Sequence, residues 1–299
     1  MRIFVTGASG WIGSSVVSEL LGHGHEVVGL ARTHASEQVI AGLGADVARG
    51  DLGDLDSLRS AAVASDGVVH LGYNHDFSRM EQAAATDRTA IETMGTALEG
   101  THSPLVIASG TLGLAPGRVG TERDMPDPGV HPRTANASLA LSYADRGVRS
   151  SVVRFAPTVH GPGDHGFVAT LVAIAREKGV SGYVDDGANR WPAVHRLDAG
   201  RLVRLAVEGA PARSVVHATA ETGIQTKLIA EAIGRGLGVP VASIPAARAA
   251  EHFGWLARFY GADAPASSDL TRQLLGWQPT QAGLLEDLDQ RHYFQSPPG

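Results

Sequence analysis

Gly7, Gly10 and Gly13 recur every third residue in the run TGASGWIG at residues 6–13. An apolar run at 2–6 precedes them. A helical apolar pattern at 11–21 follows, with Ile12, Val16, Val17, Leu20 and Leu21 on one face. A glycine at the first position permits a tight turn. The second lets backbone approach a diphosphate, and the third lets the helix pack closely on a sheet. Ser9, Trp11 and Ile12 share this turn, and the helix start offers unbonded N–H groups and a partial positive charge. A ligand-free glycine turn is the plain alternative, but strand before and helix after favour dinucleotide binding.

A second chemical signal follows the next strand. A site for a free ribose 2′-OH would place an acid there, and this chain has Arg32 and Thr33 instead. The guanidinium fork of Arg32 can pair with a 2′-phosphate, and Thr33 can add a hydroxyl. NADP(H) is therefore expected ahead of NAD(H). An ordinary surface arginine is the alternative reading.

The elements that must hold these groups alternate. Strands are expected at 2–6, 26–31, 45–49, 67–71, 105–108 and 151–155, with helices at 11–21, 54–64 and 133–146. Near-continuous Val, Ile and Leu in the strands suits a sheet covered on both faces. The fold class is α/β: a Rossmann-type doubly wound parallel sheet with a smaller, mostly helical C-terminal substrate-binding part. The expected division is 1–157 for the dinucleotide-binding domain and 158–299 for the substrate part, with segments near 190–220 completing the sheet. Helices are expected at 167–178, 198–208, 227–237 and 246–259, an irregular stretch at 183–194, and disorder at 295–299.

Composition narrows the class. The chain has 299 residues and a net charge of −6, which argues against nucleic acid as the main partner. It contains no cysteine, so thiolate chemistry and disulfides are excluded. No apolar run reaches membrane-span length, and the chain opens directly into a strand-like run, so a cytoplasmic protein is expected. The histidines lack carboxylates at ligand spacing, and no metal site is expected.

Several further stretches, in order, resemble the extended short-chain dehydrogenase/reductase superfamily, which includes the NAD-dependent epimerase/dehydratase family. They are GDL at 50–52, HLGY at 70–73, ASGT at 108–111, RFAPTVHGPG at 154–163 and WPAVHRLD at 191–198. The resemblance covers roughly residues 1–290. It implies that Asp51 and Leu52 contact adenine, and that Leu71, Gly72 and Tyr73 with Ala156, Pro157 and Thr158 frame nicotinamide. It places Ser109 and Thr111 at the active-site strand end. His75, His160, His165, Phe167, Tyr183 and Trp191 become candidates for the substrate side, where aromatic surface mixes with a few polar groups.

One departure is decisive. The superfamily's YxxxK motif occurs nowhere: the only lysines are Lys178 and Lys227, preceded four residues earlier by Ile174 and Gly223. Counting back from Gly147 and Arg154 puts the usual Tyr and Lys near Pro128 and Pro132. Tyr143 lies about four turns too late and reads as packing. Arg133 sits close to the lost lysine and can replace its charge without cycling a proton. A missing general acid is worth roughly 10²–10⁴ in rate, whereas positioning contributes about 7–11 kcal/mol, so hydride transfer survives the loss. The expected activity is an NADP(H)-dependent carbonyl reductase or alcohol dehydrogenase acting on a small neutral substrate, with Ser109, Thr111 or Tyr73 at the substrate oxygen. The alternatives are a non-catalytic dinucleotide sensor and a sugar-nucleotide epimerase or dehydratase; the family also makes a homodimer plausible.

Overall fold

The computed structural model describes residues 1–74, 79–126 and 132–295. Six strands of the first half are β1 (Arg2–Thr6), β2 (Glu26–Ala31), β3 (Asp46–Arg49), β4 (Gly67–His70), β5 (Pro104–Gly110) and β6 (Arg149–Phe155). The second half adds β7 (Thr158–His160), β8 (Ser181–Val184), β9 (Arg190–His195), β10 (Ser214–Ala218), β11 (Glu221–Gln225) and β12 (Val241–Ile244). The main helices are α1 (Trp11–Gly22), α2 (His34–Gly42), α3 (Leu55–Val63), α4 (Met80–Ala97), α5 (Pro132–Ser142), α6 (Phe167–Lys178), α7 (Arg196–Gly209) and α8 (Thr226–Leu237).

Seven strands form one parallel sheet in the order β10-β6-β5-β4-β1-β2-β3. Alternation along the strands feeds a core on each face. Ile3 and Val5 pack with Val16, Leu20, Leu202 and Val203 on one side. Phe4, between them, packs with Leu58, Ile91 and Leu141 on the other. The chain leaves β1 toward β2 and β3, then crosses back to place β4 on β1's other flank. The crevice at the carboxyl ends of β1 and β4 is thus the switch point where α/β sheets of this type bind ligands.

β10 closes the far edge of this sheet, and α7 lies against α1, where Gly200 abuts the Ser15 backbone. A third core joins α6 and α8 to Trp191, Phe253, Tyr260 and Leu288. The stretch at 183–194, expected to be irregular, holds most of β9, which pairs with β7 and β11. Pairing partners remote in sequence decide such a strand, and its own pattern does not reveal them. The single helix expected at 246–259 is broken into short turns, with Gly254 at φ +56° between them. Helix α5 ends at Ser142 and passes into a 3₁₀ turn over Tyr143–Arg146. The expected disorder at 295–299 falls almost wholly outside the described residues. Among those described, no helix is long and apolar enough to cross a membrane.

Candidate active site

The glycine turn is built by close approach. Gly7 has φ +69°, and a Cβ there would lie 2.7 Å from the Gly72 nitrogen. A Cβ on Gly13 would lie 1.9 Å from the Gly7 carbonyl oxygen. Gly10 caps α1 without a side-chain hydrogen bond, and its N–H donates to the Gly7 carbonyl at 2.9 Å. The first-turn N–H groups of α1 therefore stay open toward the crevice. Gly72 closes the other wall: a Cβ there would meet Thr6 Oγ1, Leu52 and the Gly7 nitrogen within 3.3 Å. Gly7, Leu52 and Gly72, far apart in sequence, are thus neighbours. Such a cradle, which side chains would fill, fits the diphosphate of a dinucleotide.

At the ends of β2 and β3, Arg32, Thr33, Glu37, Arg49, Asp51 and Asp54 line a pocket of about 220 Å³. Arg32 is exposed, and its side chain makes no hydrogen bond or ion pair among the described residues. Glu37, one of the acids lining the pocket, pairs with Arg49 and with His34. Thr33 is the N-cap of α2, its hydroxyl accepting from the Ser36 N–H at 3.2 Å. The same hydroxyl meets Ser36 Oγ at 3.2 Å, so Thr33 shapes the start of α2 beside Arg32. Asp51 Oδ1 accepts from the N–H groups of Gly53 and Asp54, shaping the turn.

On the other side of the switch point, Tyr73 follows β4. The Arg133 guanidinium carbon lies 4.1 Å from the centroid of its ring. Arg133 Nη2 donates to the Ala108 carbonyl at 3.3 Å, beside part-buried Ser109. Burial pushes the Tyr73 phenol up, Arg133 opposes this and Asp87 adds to it, leaving the phenol above its ordinary value. Burial lowers the pKa of Arg133, with Asp87 and Tyr73 opposing. A buried polar group stands behind this pair. Thr6 Oγ1 meets His70 Nδ1 at 2.7 Å, and His70 Nε2 meets Asp87 Oδ1 at 3.0 Å. Asn136 donates to Asp87 Oδ2 at 2.6 Å. Burial works to raise the Asp87 pKa, but His70, Arg133 and Asn136 hold it below the ordinary range.

Thr111 differs from expectation. It is buried, and its N–H and hydroxyl both turn to the Phe155 carbonyl, the N–H continuing the β5–β6 ladder one residue past Gly110. Thr158 is likewise buried, its hydroxyl donating to the Pro192 carbonyl, and Ala156 is buried beside Ala218. Pro157 between them is part-buried.

Two candidates for the substrate side are packed away. His160 is fully buried on Asp287, at 2.8 Å, and Trp191 is fully buried in the third core. Burial removes both as substrate contacts. Tyr183 lies beside Gly187 and under Lys227 Nζ, which is 5.9 Å from its ring centroid. His165 is exposed and meets the Trp11 ring edge-on at 5.5 Å. Trp11 in turn donates to the Val159 carbonyl and carries the Arg196 guanidinium at 4.4 Å, so the α1 start is tied to the 159–165 loop. Phe167 stacks on Phe259 and meets Trp255 edge-on. His75 lies outside the described residues. Tyr143 is buried with its hydroxyl donating to the Glu92 carbonyl, and its ring fills the space that a Cβ on Gly95 would need. Among the described residues, no cluster of three or more His, Cys, Asp or Glu residues could hold a metal.

Asp87 and Asn136 carry no sequence signal of a site, and Thr6 and Arg196, though inside quoted motifs, none of their own. Each is a polar residue of ordinary type, and only the fold brings them behind the crevice.

A seven-stranded Rossmann sheet with a glycine cradle at its switch point defines a dinucleotide-binding protein of the extended short-chain dehydrogenase/reductase superfamily. The profile of the NAD dependent epimerase/dehydratase family matches residues 3–216, and the chain belongs to that family. It is 47% identical over 296 residues to an uncharacterized protein of Schizosaccharomyces pombe, covering 98% of this chain and 100% of that one. It is 28% identical to a 4-hydroxy-2-methyl-3-oxo-4-farnesyl-3,4-dihydroquinoline-1-oxide ketoreductase of Stigmatella aurantiaca, covering 94% and 88% of the two chains. Among solved structures, a dTDP-glucose 4,6-dehydratase of Streptomyces venezuelae with NAD bound superposes with a TM-score of 0.77 at 21% identity, covering 98% and 96%.

Proposed function

We propose that the chain is an NADP(H)-dependent oxidoreductase that reduces a carbonyl, or oxidises the matching alcohol, on a small neutral organic substrate. The carrying observation is the cradle of Gly7, Gly10, Gly13 and Gly72 at the β1–β4 crevice. Its natural guest is a dinucleotide diphosphate, and when bound that dinucleotide supplies or accepts a hydride. Arg32, exposed in an adenosine-side pocket where Glu37 is already paired with Arg49, supports the 2′-phosphate form. The ketoreductase among the relatives supports reduction over epimerisation.

This chain's own residues bind and orient. The open N–H groups of α1 hold the diphosphate, and Asp51 and Leu52 border the adenine. Leu71, Gly72 and Pro157 border the nicotinamide end. Ser109 and Tyr73 stand at adjacent strand ends, where a substrate oxygen can be hydrogen-bonded.

Calorimetric titration with NADPH and NADH tests the first half, and NADPH oxidation over a panel of ketones and aldehydes tests the second. Tighter NADPH binding with turnover of one member is expected. NADH binding as tight as NADPH removes the 2′-phosphate assignment. Tight binding without turnover makes the chain a dinucleotide sensor, and retained NAD with binding of nucleotide sugars makes it an epimerase or dehydratase.

A further inference from the structure

Four buried polar side chains from four elements form one hydrogen-bonded line. Thr6, His70, Asp87 and Asn136 are all at most 4% exposed. The Gly72 N–H donates to Thr6 Oγ1 at 3.1 Å. With the His70 proton on Nε2, Thr6 donates to Nδ1 and His70 donates to Asp87, while Asn136 donates to the second carboxylate oxygen. Every member is then satisfied, which a buried polar group requires.

Both ends of the line bear on one residue. At one end Thr6 pins the backbone of Gly72, directly before Tyr73. At the other, the Asp87 charge faces Arg133, whose guanidinium lies over the Tyr73 ring. Arg133 is also tied to the β5 end through the Ala108 carbonyl. A phenol and a permanent cation are thereby held together where the chain lacks its family's Tyr and Lys. They come from β4 and α5 rather than from one helix.

We propose that Tyr73 and Arg133 replace the absent tyrosine–lysine pair, with Tyr73 as proton donor, Arg133 as positioning cation, and the Thr6–His70–Asp87–Asn136 line as their support. The inference rests on the oxidoreductase reading. As the carbonyl carbon gains hydride, the π pair moves to its oxygen. That oxygen forms a bond to the phenolic proton of Tyr73, and the phenol O–H bond breaks. Arg133 stabilises the tyrosinate left behind, and a proton from water restores the phenol. Arg133 keeps its charge throughout, since a guanidinium does not lose its proton near neutrality. The phenol lies above its ordinary value. At neutral pH it is therefore protonated and carries the proton to be donated.

The test combines a titration with kinetics. The chain has five tyrosines, so the tyrosinate absorbance of the parent minus Tyr73→Phe isolates one phenol. The charged groups facing it, among the described residues, are Arg133 from α5 and Asp87 from α4. Arg133→Met should move that titration further up, and Arg133→Lys should bring most of it back. With the carbonyl the parent reduces fastest, Tyr73→Phe should lower kcat about 10²-fold or more, with NADPH affinity within about threefold. Arg133→Lys should recover much of the kcat that Arg133→Met loses.

An unmoved titration in Arg133→Met, or parental kcat in Tyr73→Phe, overturns the pair while leaving the oxidoreductase reading intact. Dinucleotide binding with no carbonyl reduced overturns the donor role and the oxidoreductase reading together. No binding of either dinucleotide overturns the oxidoreductase reading itself.

Discussion

The Cα of Gly13 faces the carbonyl oxygen of Gly7 so closely that a Cβ on Gly13 would sit 1.9 Å from it. Gly13→Ala must push the start of α1 off the sheet. Overpacking of this kind costs about 1–3 kcal/mol. Urea unfolding should show that loss, and calorimetry should show at least about a tenfold drop in dinucleotide affinity, since a displaced helix start no longer aims its N–H groups at the diphosphate. Unchanged affinity would separate the glycine turn from ligand binding.

Arg32 stands exposed at the end of β2 in a pocket where Glu37 is held by Arg49. A charge-assisted hydrogen bond contributes about 1.5–3 kcal/mol. Arg32→Ala should therefore weaken NADPH binding about 10–100-fold and leave NADH within about threefold. Equal loss for both dinucleotides would show that Arg32 does not read the 2′-phosphate.

His217 is fully buried between Arg154, whose Nη1 donates to its Nε2 at 3.3 Å, and the Ser267 carbonyl, which accepts from its Nδ1 at 2.8 Å. Burial, more than the acids nearby can offset, lowers its pKa from 6.5 to about 4. The unfolded chain takes up a proton between those values and the native chain does not. Stability is thus complete above pH 6.5 and falls as pH drops toward 4, by up to about 3 kcal/mol. Urea unfolding at pH 7.5 and 4.5 should show this slope, and His217→Gln should flatten it.

Asp198, 2% exposed, ties the start of α7 to the 277–281 segment. Its carboxylate accepts from the Thr280 and Gln281 N–H groups at 3.0 Å and from Arg201 at 2.7 Å. Asp198→Ala leaves these donors without their acceptor, at a cost of about 2–4 kcal/mol. Chemical unfolding should register that loss, while NADPH affinity at the folded protein should stay within about twofold, because the residue acts through structure alone.

Tyr73 and Arg133 illustrate what could be read in advance. Each was visible in the sequence as a candidate, one after HLG and one beside the vacated lysine position, but nothing local joined them. Asp87 and Asn136 were invisible because α4 and α5 are weakly patterned, and polar residues in such helices read as solvent-facing. His160 shows the opposite case. In sequence it borders a Gly-rich loop, and only Asp287, 127 residues later, claims it for the interior. Thr111 reads as a strand-end hydroxyl, yet the neighbouring strand β6 takes it up on the Phe155 carbonyl.

Short-range physics was enough for the rest. A glycine triplet between strand and helix, an arginine in place of an acid after β2, and two lysines outside any Tyr-x-x-x-Lys spacing are enough to read the glycine turn and the missing motif. Such features depend on backbone sterics and residue identity within a few positions. Which side chains face the crevice, and which are sealed behind it, was decided only by packing. Those contacts join β1, β4, α4 and α5 across 130 residues, and a hydrogen bond between distant segments has no local signature until the chain has folded.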